Sequence, residues 1–150
     1  KLMSVGGSRT VDSFHKKLGQ IMWEYVGMAR NKEGLIKARE EIRKLRQEFW
    51  SDVKIPGAMD DLNPELQKAV RLADFIELGE LMAIDALNRE ESCGGHFREE
   101  YQTEEGEALR NDTDFNYVSA WEFNGPDKDP VLHREPLDFK FIEVKQRSYK

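Results

Sequence analysis

From Asn63 to the Gly94-Gly95 pair the chain has room for one long helix and little else. Asn63-Pro64-Glu65 is a strong start signal: a capping Asn, a Pro in the first turn where no amide hydrogen is needed, and an acid at the positive end of the helix dipole. Leu66, Val70, Ala73, Ile76, Leu78, Met82, Ile84 and Leu87 then cover most of the circumference. A helix that is apolar nearly all round is expected to be buried, so this segment, over about 63–91, reads as the middle of a helical assembly. Gly79 is a weak helix former and suits close approach by a neighbouring helix.

Two more helices can surround it. Thr10 or Asp12 can cap the first, over about 10–29, where Phe14, Leu18, Ile21, Met22 and Tyr25 recur at helical spacing and Gly27 and Arg30-Asn31 mark the far end. The second runs over about 33–52. Its stripe of Leu35, Ala38, Ile42, Leu45 and Phe49 opposes a wet side of Lys37, Arg39, Glu40, Glu41, Arg43 and Lys44, and Val53-Lys-Ile-Pro-Gly57 breaks it. Trp23 and Trp50 lie on or beside these apolar faces and are expected in the core. Residues 1–9 read as a flexible lead.

Beyond Gly95 the period changes. Phe115–Phe123 alternates roughly by two and is aromatic-rich, as in a strand. Asn124-Gly125-Pro126-Asp127 is a turn, and Val131–His133 and Leu137–Val144 read as extended segments that Pro130 and Pro136 keep from central positions. The expected fold is mainly α: an antiparallel three-helix bundle, followed over 96–150 by an irregular, partly extended C-terminal tail.

Asn88–Tyr101 is dense in polar groups directly after a helix stop: His96, Arg98, Glu99, Glu100 and Tyr101 fall within a few positions. Cys93 and His96 supply too few ligands for zinc, and His15 and His133 sit in unrelated contexts. Glu90, Glu91, Glu99 and Glu100 oppose the electropositive setting that a reactive thiolate needs. Cys93 is the only cysteine of the chain, so no internal disulfide forms. The net charge of −6 argues against a nucleic-acid footprint. No apolar run approaches the roughly 20 residues of a membrane helix. Val5-Gly-Gly-Ser8 lacks both the spacing and the preceding strand of a dinucleotide-binding loop. Without an initiator Met, the chain reads as a segment of something longer.

The same loop resembles a known sequence. In the flavoprotein subunits of succinate dehydrogenase and fumarate reductase, a helix ends in Ala-Arg-x-Glu-Ser-Arg-Gly-Ala-His-x-Arg-Glu-Asp-Tyr. Asn88, Arg89, Glu91, Ser92, Gly94, His96, Arg98, Glu99 and Tyr101 line up with that run without gaps. Leu18–Arg30 is similar to the family's Leu-x-x-x-Met-x-x-x-Val-Gly-x-x-Arg helix, Glu33-Gly-Leu35 to the start of its second helix, and Arg147-Ser-Tyr149 to its closing Arg-Ser-Tyr. Cys93 departs from the commoner Arg, and Gly95 from Ala.

The resemblance implies that residues 10–150 are the C-terminal helical domain of such a subunit. The parent would be an FAD enzyme interconverting succinate and fumarate, exchanging electrons with quinone through an iron–sulfur subunit. It would lie peripherally at the cytoplasmic side of a bacterial inner membrane, on a membrane anchor. In the family the flavin and the substrate residues lie in other domains. No catalytic, cofactor-binding or metal residue is therefore assigned to this chain, which is expected to be inactive alone and to serve packing and assembly. The implied docking residues, against the flavin-binding domain, are Arg30, His96, Arg98, Glu99, Arg147 and Tyr149. As surface groups they would be wet in the isolated chain. Two alternatives remain: the same domain of L-aspartate oxidase or adenylylsulfate reductase, or a free-standing helical adaptor.

Overall fold

Three long helices, α1 (Val11–Tyr25), α2 (Lys32–Asp52) and α3 (Pro64–Asn88), carry most of the ordered backbone, and the fold is mainly α. The computed structural model describes residues 1–125 and 128–145. Contacts divide the chain into two compact units, Lys1–Leu87 and Asn88–Lys150.

Each helix begins where a side chain can satisfy its first amides. The Thr10 hydroxyl accepts from the Ser13 amide, Asn31 Oδ1 from the Gly34 amide at 2.8 Å, and Asn63 Oδ1 from the Leu66 amide at 2.9 Å. Asn31, read in the sequence as the end of the first helix, is thus the start of the second. α1 stops four residues earlier than the expected Ala29, because Val26 leaves helical geometry at ψ 4° while its amide still bonds the Met22 carbonyl.

The core of the first unit draws on all three helices. Phe14, Leu18 and Ile21 meet Leu35, Ile42, Leu45 and Phe49, together with Leu72, Ile76 and Ala83. Gly79 permits this closeness: a Cβ there would stand 3.2 Å from Met22 Sδ and 3.4 Å from Leu18 Cδ1. Phe14 and Phe49 meet edge to face, with ring centroids 5.5 Å apart.

Three sequence expectations need correction. α3 is not buried all round. Its inner stripe is Ala69, Leu72, Ile76, Gly79, Glu80, Ala83 and Ala86, whereas Leu78 is 53% and Met82 47% exposed. Trp23 is no core residue, being 87% exposed, while Trp50 is partly buried against the core. The side of α2 read as wet is not wholly so. Arg43 Nε and Arg46 both donate to the buried carboxylate of Glu80, and Arg39 lies 3.7 Å from it. Spacing reveals an apolar stripe, but not a carboxylate placed within it that arginines reach from the next helix.

Residues 1–9, read as a flexible lead, make specific contacts. Leu2–Ser4 forms a short 3₁₀ turn, and Leu2 and Val5 pack against the core. Two short parallel strands, β1 (Arg9–Thr10) and β2 (Val53–Lys54), join the start of α1 to the end of α2. The Ser8 amide donates to Asp52 Oδ1 at 2.7 Å, and the Ser8 hydroxyl also donates to this carboxylate. These bonds, the amide first, and then the Arg9 charge, hold the Asp52 carboxyl below its ordinary pKa.

In the second unit, α4 (Asp112–Phe115) leads into an antiparallel pair, β3 (Tyr117–Glu122) and β4 (Val131–Pro136), with Tyr117 opposite Pro136 and Glu122 opposite Val131. β3 shows the expected alternation, from buried Tyr117 to exposed Val118. Each strand has only one partner, so Pro136 takes no central position. Leu137–Val144 forms no strand; its backbone instead bonds to Asn116, whose carbonyl accepts from the Leu137 amide at 3.1 Å and whose Nδ2 donates to the Leu137 carbonyl at 3.4 Å. In the expected turn at 124–127, Gly125 has φ +110°, while Pro126 and Asp127 lie outside the described residues.

Candidate functional site: the polar loop after α3

The loop closes on itself through buried polar groups. Gly94, at φ +60°, reverses the chain so that the Cys93 amide donates to the His96 carbonyl at 2.8 Å and the His96 amide to the Cys93 carbonyl at 3.0 Å. A Gly at the first central position suits such a two-residue reversal. The Ser92 hydroxyl bridges this turn. It accepts from the Arg98 amide at 2.8 Å and donates to the Arg98 carbonyl at 3.1 Å. The Ser92 amide reaches the Leu109 carbonyl at 2.8 Å, tying in the far side of the loop.

Glu91 is the hub. It is 2% exposed, and its two oxygens have separate tasks. Oε1 accepts from Arg89 Nε and Oε2 from the Asn111 amide, both at 2.8 Å. Arg89 in turn donates to the Phe115 carbonyl at 2.8 Å and lies over the rings of Phe115 and Tyr117. Asn111 caps α4. One carboxylate thus links the end of α3, the returning loop and the segment leading into β3. A buried carboxylate is tolerated only when paired and hydrogen-bonded in this way.

Arg98 is not wet. It is 1% exposed, the largest fully buried side chain among the described residues. Its Nε donates to Glu100 Oε2 at 3.1 Å, and its guanidinium lies 5.4 Å from the Tyr101 ring centre. Burial pushes the Tyr101 phenol up; Glu90 adds to this and Arg98 opposes it. His96 is half-buried, with Nε2 2.9 Å from the Arg89 carbonyl oxygen. Glu99 is exposed, and its carbonyl accepts from Gln102 Nε2. Arg30 belongs to the first unit, where its Nε donates to the Gly27 carbonyl at 3.1 Å. Arg147 and Tyr149 lie outside the described residues. Of the six expected docking residues, the loop therefore gathers three: His96, Arg98 and Glu99. Sequence reasoning named Glu91 and Ser92 only as letters of the family motif, with Glu91 as an acid near Cys93, and did not name Asn111. The signal available was the Asn-x-x-Asp spacing of a helix cap at Asn111–Asp114, but nothing local pairs it with Glu91, twenty residues earlier.

Cys93 is a free, half-buried thiol. Arg110 donates from Nε to Asp112 Oδ1 at 3.0 Å. Its pKa is raised first by the hydrogen bond to Asp112, with the charges of Asp112 and Glu91 adding. Within the loop, Glu91, Arg89, Arg98 and His96 are engaged with backbone groups and with one another. In the lead, Gly7 lies directly against the Asp52 backbone, which leaves no room for a Cβ. No helix among the described residues is long and apolar enough to cross a membrane.

Fold and loop together define a mainly α-helical domain with a self-closed polar loop. The family model described as the C-terminal part of the fumarate reductase flavoprotein matches residues 15–149, and the chain belongs to this family. An FAD-dependent oxidoreductase of Methanocaldococcus jannaschii is 33% identical over 101 residues, 67% of this chain and 18% of the relative. The succinate dehydrogenase flavoprotein subunit of Bacillus subtilis is 24% identical over 148 residues, 99% of this chain and 24% of the relative. Among solved structures, a quinol–fumarate reductase with menaquinol molecules has a TM-score of 0.79 at 24% identity, covering 95% of this chain and 24% of that one. The chain thus spans a quarter or less of the length of these relatives.

Proposed function

We propose that this chain is the packing and assembly domain of an FAD-dependent flavoprotein subunit that interconverts succinate and fumarate. The observation that carries the reading is the family match along residues 15–149, supported by the order of the loop motif within it. FAD and the reacting groups belong to the remainder of the subunit. Electrons pass to or from quinone through an iron–sulfur subunit, and the complex sits peripherally on a membrane anchor at the cytoplasmic face. This chain alone is inactive. The three helices are read as an antiparallel up–down–up bundle. Support comes from the ion pairs Lys17–Glu41 between α1 and α2, Arg46–Glu77 between α2 and α3, and Lys68–Asp12 between α3 and α1.

Glu99, His96 and Arg30 are the docking groups best placed to face another domain, while Arg98 holds the loop's shape from inside. The docking roles of Arg147 and Tyr149 rest on the family motif. The test is to purify the full parent subunit, record its flavin spectrum, and assay fumarate reduction and succinate oxidation with an artificial dye. A flavin-bearing protein active in either direction supports the reading. A flavin-free parent overturns it, and a parent that oxidises L-aspartate instead moves the domain to the aspartate oxidase alternative.

A further inference from the structure

An asparagine carboxamide can close a five-membered ring with the main-chain nitrogen of the residue that follows. Whether it does so depends on the freedom of the side chain to turn toward that nitrogen and on the room the next residue leaves. The chain has six asparagines, and five are held. Asn31, Asn63 and Asn111 spend Oδ1 as helix caps, accepting from the Gly34, Leu66 and Asp114 amides. Asn88 Nδ2 donates to the Tyr117 hydroxyl and Asn116 Nδ2 to the Leu137 carbonyl, both at 3.4 Å. Each of the five is followed by a residue with a side chain, and Pro64 after Asn63 has no amide hydrogen.

Asn124 differs on every count. It is exposed and stands two residues beyond Glu122, the last rung of β3 against β4, so no ladder bond fixes it. Among the described residues, no hydrogen bond engages its side chain or the Gly125 amide. Gly125 has no side chain to block the approach. It sits at φ +110° with nothing within 4 Å of the place a Cβ would take. Glycine also leaves the backbone free to rotate into the ring.

We propose that Asn124 is a site of spontaneous isoaspartyl formation, in which the Gly125 nitrogen attacks the Asn124 carboxamide and water is the only co-reactant. The N–Cγ bond forms as the Gly125 amide loses its proton. The Cγ–Nδ2 bond breaks, and ammonia leaves with that proton. Water then opens the cyclic imide. Addition at the side-chain carbonyl gives aspartate; addition at the main-chain carbonyl gives isoaspartate, in which the main chain runs through Cγ. No electrons are exchanged. Either product puts a carboxylate where a neutral amide stood, two residues from Glu122, whose own carboxylate holds His133 at 2.7 Å. Isoaspartate also lengthens the β3–β4 connection by one backbone carbon. The rungs from Tyr117 to Glu122 precede the altered bond, so the hairpin keeps its register while its loop gains length and charge. The domain thus carries a record of its own age, and this inference does not rest on the proposed function.

The experiment incubates the purified parent subunit at mildly alkaline pH, native and in guanidinium chloride. Peptide mapping by mass spectrometry follows each asparagine, with isoaspartate separated from aspartate by chromatography. In the native protein Asn124 should convert mainly to isoaspartate, at least about tenfold faster than the five held asparagines and within about tenfold of its own rate in denaturant. A native rate further below the denatured one overturns the proposal, because the fold would then be closing the site. Conversion to aspartate alone also overturns it, since direct hydrolysis without the ring gives no isoaspartate. Asn124→Gln, which would need a larger ring, should lose the product and keep the helical circular dichroism. Isoaspartate persisting in that peptide would place the reaction elsewhere and overturn the assignment.

Discussion

Glu91 concentrates more of the loop's order than any other single side chain. Replacing it with Ala leaves the Asn111 amide and Arg89 Nε without their acceptor. Breaking a buried pair costs about 3–5 kcal/mol; because Arg89 keeps some access to water, about 2–4 kcal/mol is the expected loss of stability, seen as a lower denaturant midpoint. Glu91→Gln should recover part of it, since an amide oxygen still accepts one bond. Arg98→Ala should also destabilise the chain, by about 1–3 kcal/mol, through lost packing and the lost bond to Glu100. A midpoint equal to wild type would mean that the guanidinium is wet after all. The sequence showed Glu91 and Arg98 as polar letters near a helix stop, and polarity alone reads as exposure. Their burial follows from the backbone amides that a tight loop brings inward, which no local pattern records.

At the scale of the element, start signals were legible and faces were not. Asn63-Pro64 and Thr10 fixed where α3 and α1 begin because a cap is a local event between neighbouring residues. Which side of α3 is inward depends on what else the chain can lay against it, and that is not local. Gly79 is the point where the two levels meet. Gly79→Val should gain helix propensity yet lose stability by about 1–3 kcal/mol, because the added atoms meet Met22, Leu18 and Ile42. Ile42→Ala, in the same layer, should cost about 2–5 kcal/mol. Thermal melts of the two variants check both figures. If Gly79→Val raises the midpoint, α1 and α2 are not held close to α3 at that level. The strand pairing of β1 with β2 escaped the sequence reading altogether, since two residues are too few to show a period.

For the molecule as a whole, the tie between the lead and Asp52 gives an acid response. The Asp52 carboxyl is lowered in the folded state, so its stabilising contribution is complete above the unfolded value of about 3.9 and is lost as the pH falls through the lower folded value. Hydrogen exchange at the Ser8 amide should therefore stay slow, after correction for intrinsic rates, down to about pH 4 and lose protection below it. Asp52→Asn should weaken that protection throughout and remove its acid step. A Ser8 amide unprotected at neutral pH would show that the tie does not form.

The clasp of β1 on β2 also decides how the domain carries load. A pull applied at Lys1 first lifts Leu2 and Val5 from the core, then runs through Gly7, whose amide bonds the Val53 carbonyl, and Ser8 into the end of α2 before any turn of α1 is stressed. The lead therefore works as a strain relief. Tugging from that side is taken up by a short sheared strand pair, and the first helix, with the core layer behind it, is spared until the clasp gives way.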